Sequence, residues 1–159
     1  MKSIEWSPST GDDKGKRFII TRMSAFTGDR WGRNVVRSLA RSGSRTPREA
    51  LEVGIAGLAG QSMAVFGNMT NEECDYAFQG LQDCVTIDRD PSNDGVKPAP
   101  LTEMDITDPQ TLPDLRTEAF KLNVGFLKAA TSQIYPFVAA LREKLTPNEP
   151  PAASTSPRP

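Results

Sequence analysis

The side chains that most often carry chemistry are few in this chain, and their spacing does not assemble a reactive centre. Histidine is absent, which removes the group that titrates nearest neutral pH and the commonest metal ligand. A Ser-His-Asp or Cys-His nucleophile cannot be built from such a chain. Cys74 and Cys84 lack the CxxC spacing and read as buried, reduced thiols. The run Gly11-Asp12-Asp13-Lys14-Gly15-Lys16 has the look of a phosphate loop. Its glycines stand too close together, Arg17 follows Lys16, and a strand pattern follows where the motif requires a helix. Asp88, Asp90 and Asp94 are spaced like the first half of a calcium loop, but Gly95 comes too late and Ala99 occupies the place of the closing carboxylate. No catalytic residue, cofactor site or metal site is expected from these residues.

Charge carries more information. Residues 1–48 hold eleven Lys/Arg against four Asp/Glu, residues 49–118 three against fourteen, and residues 119–159 five against two. Such segregation points to an anionic partner for the basic end, or to complementary packing between protomers. Arg30, Arg33, Arg37 and Arg41 recur at helical spacing and share one face. That face could contact phosphates, but the favoured reading is a solvated face, or one paired with the acidic middle of the same or a neighbouring chain.

The elements that must position these residues are marked by periodicity and caps. Lys2–Trp6 alternates polar and apolar residues, and Lys16–Met23 is rich in β-branched ones, so the two read as a hairpin joined by the turn-rich loop 7–15. A helix is expected from Asp29 to Arg41, with Trp31, Val35 and Leu39 as its core stripe and Ser42-Gly43 as its end. Thr46-Pro47-Arg48-Glu49 opens another helix, with Leu51, Ile55 and Leu58 facing the core. Its glycines Gly54, Gly57 and Gly60 form either a small-residue stripe that admits a partner backbone or simply a weak helix. Thr70-Asn71-Glu72-Glu73 is a capping box before Cys74, Phe78 and Leu81. Val85–Ile87 reads as a short strand, residues 90–100 as a loop and Leu101–Met104 as extended.

Asp108-Pro109 starts a further helix carrying Leu112, Leu115, Ala119, Leu122 and Phe126. The apolar pattern continues through Ile134, Phe137, Val138 and Leu141, interrupted at Pro136. Tyr135 and Phe137 belong to an aromatic cluster that serves either core packing or a partner's helix. The proline-rich stretch after Leu145 has too few apolar residues to offset its ordering entropy and reads as disordered. The expected organisation is α+β: an N-terminal β-hairpin with a mainly helical bundle in one domain, residues 1–145, and a disordered tail, 146–159. No window approaches the run of about 18 apolar residues that a membrane span needs. The opening Met1–Trp6 has no apolar signal-peptide core, so a non-secreted chain is expected.

As an ordered series these segments resemble one known family. A Trp-containing strand precedes Asp12-Asp13-Lys14-Gly15-Lys16-Arg17-Phe18-Ile19-Ile20-Thr21-Arg22-Met23, then Asp29-Arg30-Trp31-Gly32-Arg33. A helix closing on Leu39-Ala40-Arg41-Ser42-Gly43, a Gly/Ala-rich helix and a final helix through Leu115–Phe126 follow. Over about residues 2–127 the chain resembles the small tail-assembly chaperones of long-tailed bacteriophages. The resemblance implies a non-enzymatic protein of the host cytoplasm, absent from the mature virion, that keeps the tape-measure protein soluble and helps recruit tail-tube subunits. It explains nothing after Leu145 and supplies no motif-defined binding residue. The surface best suited to the partner is expected at Gly54, Gly57, Gly60, Leu122, Phe126, Tyr135 and Phe137. The competing expectations are a nucleic-acid-binding accessory protein that uses the arginine face, and a minor structural or head–tail joining protein.

Overall fold

Alternation of side chains and complementary caps fix the framework seen in the computed structural model, which describes residues 1–42, 55, 58, 61–93 and 95–125. Ser3–Trp6 forms β1 and Arg17–Thr21 forms β2, paired antiparallel with Ser3 opposite Thr21 and Trp6 opposite Phe18. The expected hairpin is therefore present. Val85–Asp88 forms β3 and pairs with β2, setting Ile87 beside Phe18 and Val85 beside Ile20. The two residues Ala99–Pro100 form β4 and complete a four-stranded antiparallel sheet in the order β1-β2-β3-β4. Directly opposed residues point to the same face, so Ile4, Trp6, Phe18, Ile20, Val85 and Ile87 share one side. Ser3, Glu5, Arg17, Thr21, Thr86 and Asp88 share the other. On that outer side Arg17 pairs with both Glu5 and Asp88.

The helices cover the apolar side. α1 spans Ala25–Arg41, one turn earlier than the sequence suggests, because Ser24 is the cap: its hydroxyl accepts from the Thr27 amide at 3.2 Å. α2 spans Asn71–Gln82 behind the expected capping box of Thr70 and Glu73. α3 is helical over 111–125 among the described residues. It begins just after the expected Asp108-Pro109 start, with Asp108 accepting from the Gln110 amide at 2.9 Å. Leu101–Met104 is not a continuous extended segment, since a single 3-10 turn occupies Glu103–Asp105. Of the helix expected after Thr46, only Ile55 and Leu58 are described; Leu58 is fully buried and Ile55 packs against the core. The tail and the aromatic cluster around Tyr135 lie outside the described residues.

The core joins sheet and helices into two layers. Trp31, Val35 and Leu39 of α1 are buried, as their spacing requires, with Val36 beside them. Ala77 and Leu81 come from α2, and Leu115, Ala119, Phe120 and Val124 from α3. Phe66 meets Phe78 and Phe120 edge-on, at 5.5 and 5.6 Å between ring centres, the arrangement that ring quadrupoles favour. Trp31 donates its indole N–H to the Ala77 carbonyl at 3.1 Å. Gly80 makes that approach feasible, because a Cβ there would stand 2.4 Å from the Trp31 ring. Asn123 ties the layers together: its side chain accepts from the Met23 amide at 2.9 Å and donates to the Ala119 carbonyl at 2.8 Å.

Trp31→Ala should therefore cost about 3–5 kcal/mol of stability, read as the shift in denaturant midpoint. An unchanged midpoint would contradict the packing of α1 on α2.

Candidate functional site

The loop between β1 and β2 holds the least expected residue of the molecule. Asp13 is completely buried. Its carboxylate accepts from Lys16 Nζ at 2.6 Å and from the backbone amides of Thr107 and Asp108 at 3.0 Å each. Burial by itself would push this carboxyl up. The hydrogen bonds from Lys16, Thr107, Asp108 and Thr111 outweigh it and hold the group well below the usual carboxylate range. Gly11 takes a φ of +84°, and a Cβ there would stand 1.9 Å from Asp108. The glycines that superficially suggested a phosphate loop thus shape a turn that closes over a carboxylate of the protein's own.

A second acid acts on the same segment. Asp105 is buried and accepts from Arg89 Nε at 2.7 Å and from the Thr102 amide at 2.7 Å. The Arg89 guanidinium holds its carboxyl well below the usual range, against burial. Asp13 and Asp105 together fasten residues 102–111 to the sheet. Among the described residues no buried side-chain nitrogen or oxygen lacks a partner.

The fastened segment is one wall of a groove of about 930 Å³. Its other walls are the end of α2 at Gln79 and Gln82 and the strand residues Val85 and Thr86; Leu101, Ile106 and Leu112 supply its apolar surface. A second groove, of about 570 Å³, runs between the start of α1 and the end of α2, lined by Met1, Met23, Arg30, Trp31, Tyr76 and Cys84. Gln79, Asp83 and Thr86 border both. The two grooves therefore meet at the end of α2, in a depression with an apolar floor and both signs of charge at its rim.

Neither thiol is disposed to react. Cys74 and Cys84 are both free, as expected, but only Cys84 is buried and Cys74 is half-exposed. Burial pushes the Cys84 thiol up to about 11, which leaves almost no thiolate at neutral pH. Asp88 is paired with Arg17. Asp94 lies outside the described residues, and among those described no group of three or more acids and cysteines is placed to hold a metal ion.

The sequence-derived surface residues divide. Gly54, Gly57, Gly60, Phe126, Tyr135 and Phe137 lie outside the described residues. Leu122, expected to face a partner, is buried in the core instead. Its i+3 and i+7 relation to Ala119 and Leu115 puts it on the same inward stripe. Arg30, Arg33, Arg37 and Arg41 are all exposed on one face of α1. Arg33 pairs with Asp29 on its own helix at 2.8 Å, and Arg41 pairs with Glu73 of α2. Leu101 and Ile106 lie in a loop and Leu112 on the expected apolar stripe of α3; none carries a signal of the groove, since a half-buried aliphatic residue looks like any core residue in sequence.

No family model, curated protein or solved structure matches this chain. No helix among the described residues is long and apolar enough to cross a membrane.

Removing the Asp13 carboxylate orphans two backbone amides and an ammonium, so Asp13→Ala should cost about 3 kcal/mol at neutral pH. Both carboxyls bind protons more weakly in the folded chain than in the unfolded one. Their contribution is complete above the unfolded value near pH ~4 and is lost as pH falls below it. Acid titration followed by circular dichroism should show a shallower decline for Asp13→Ala than for the unaltered protein. An equally steep decline in both would assign the acid sensitivity elsewhere.

Proposed function

We propose that this chain is a non-catalytic tail-assembly chaperone of a long-tailed bacteriophage. It would bind the tape-measure protein in the host cytoplasm, keep it soluble, and leave it as tail-tube subunits enclose it, so that the finished virion lacks it. The observation that carries this reading is the pair of adjoining grooves at the end of α2, with Met23, Leu101, Ile106 and Leu112 among their apolar lining. Unbranched and flexible methionines repack against different apolar partners, and a concave apolar surface suits repeated, modest contacts with an amphipathic helix. The ordered resemblance of residues 2–127 to that family supports the same reading. So does the chemistry of the site, where the carboxylates serve the framework and the Cys84 thiol is held protonated.

Co-expression with the tape-measure protein of the same phage should move that protein from the pellet to the supernatant and yield a co-purifying complex. Each square ångström of apolar stripe removed from water contributes about 25 cal/mol, so the complex should survive high salt, which weakens charge pairs more. Leu112→Glu, at the groove wall, should fold but lose the complex. A tape-measure protein that stays insoluble with this chain in excess would sink the reading. Retention of the chain in purified virions would instead favour a structural or joining role.

A further inference from the structure

The arginine face of α1 touches the smaller groove only at Arg30, and an acidic face lies beside it. Three contacts fix how the two helices run. Arg41 pairs with Glu73, Asn34 donates to the Tyr76 hydroxyl at 2.8 Å, and Trp31 reaches Ala77 and Gly80. Descending along α1 means ascending along α2, so they are antiparallel. On the outer surface of this pair α1 presents Phe26, Arg30, Arg33 and Arg37 at i, i+4, i+7 and i+11, one face of a helix. α2 presents Glu72, Asp75, Gln79 and, at its cap, Asp83, all exposed. The contacts put Arg37 level with Asp75, and Arg30 level with Gly80, about one turn short of Asp83. Arg30, Arg37, Glu72, Asp75 and Asp83 make no ion pair among the described residues.

We propose that the chain self-associates as a two-fold dimer in which the arginine face of α1 in one copy lies over the acidic face of α2 in the other. Symmetry selects the arrangement. A two-fold axis running along the α1–α2 seam places each α1 over the partner's α2 without shifting it along the seam, so Arg37 meets Asp75 and the long Arg30 side chain comes within a turn of Asp83, twice over. An axis crossing the seam would set arginines on arginines. Closed two-fold contacts use the same patch on both copies, and this patch holds both signs in matching rows. Phe26 supplies an apolar anchor. It is 88% exposed at the head of the arginine row, level with the end of α2, where the groove lined by Met23, Tyr76 and Cys84 opens. The axis along the seam brings each Phe26 over that groove in the partner, which leaves the larger groove at Leu101, Ile106 and Leu112 for the tape-measure protein; buried aromatic anchors dominate the energetics of small interfaces.

Sedimentation velocity on the full chain tests this. The unaltered protein should dimerise at low ionic strength and dissociate as salt rises to about 0.5 M, where the screening length falls to a few ångströms. Arg30→Glu/Arg37→Glu and Asp75→Arg/Asp83→Arg should each weaken self-association by more than about tenfold, with circular dichroism unchanged because all four positions are exposed. Mixing the two variants should restore a one-to-one dimer, since each reversed row then faces its complement. Phe26→Ala should weaken the dimer without altering its salt dependence. A protein that stays monomeric at low salt overturns the proposal. So does a mixture of the two variants that remains monomeric, or an Arg30→Glu/Arg37→Glu protein that dimerises as before. Binding of single-stranded DNA through Arg30 and Arg37 in place of self-association would likewise overturn it, and give this face to nucleic acid.

Discussion

A carboxylate with no contact with water joins two parts of this chain that are 94 residues apart in sequence. Left unpaired, a buried charge of this kind would cost several kcal/mol. Asp13 instead accepts from an ammonium and two successive amides. Successive amides converging on one carboxylate form a small anion nest, here built by the protein for its own side chain. The consequences spread outward. The turn at Gly11 must take its left-handed conformation, Lys16 must fold back over the loop, and residues 105–108 must approach the hairpin. Lys16 also donates to the Asp105 carbonyl at 2.9 Å, and Asp105 in turn engages Arg89 beyond β3. One wall of the larger groove thus rests on a polar chain running from the first loop to the third strand.

The sheet and helices show which features a sequence carries openly. The capping box at Thr70 and Glu73, the Trp31/Val35/Leu39 stripe and the hairpin were all legible, because each depends on residues a few positions apart. The overall α+β class followed from the same local signals. Features that depend on distant partners were not legible. The alternation around Val85 marked a strand but not its neighbour, and pairing with β2 placed it at the centre of the sheet rather than beside a helical bundle. β4 is too short to announce itself, and Leu101–Met104 was turned by the Thr102–Asp105 hydrogen bonds. The first turn of α1 was hidden because Ala25 and Phe26 are exposed and Gly28 is a poor helix former; only the hydroxyl of Ser24 marks its start.

The candidate surface was less legible than the fold, for a physical reason. Packing makes a groove from residues that individually resemble core, so Leu112 and Ile106 could not be told from Leu115. The reverse error befell Leu122, whose stripe faces inward. Asp13 was the deepest omission. In sequence it sits in a run of turn formers beside Asp12, and nothing distinguishes the acid that points inward from the one that remains outside. The arginine row was different: spacing alone placed it on a face, and only the orientation of α2 revealed the acidic row alongside.

Among the described residues the sheet also ends in an unusual manner at both sides. β4 contributes only two residues, and Pro100 has no N–H to offer a neighbouring strand. At the opposite edge, the Arg22 amide donates to the Lys2 carbonyl, so the alternation of an antiparallel ladder turns the backbone groups of Ser3 and Glu5 outward. That border offers a templating strand just two residues' worth of free groups, with a carboxylate at one of them, and Pro8 lies two positions beyond Trp6. Short, charged or proline-bearing borders discourage strand addition. A sheet bounded in this way resists growing into fibres by strand addition. The proposed dimer accordingly uses the helical side of the molecule.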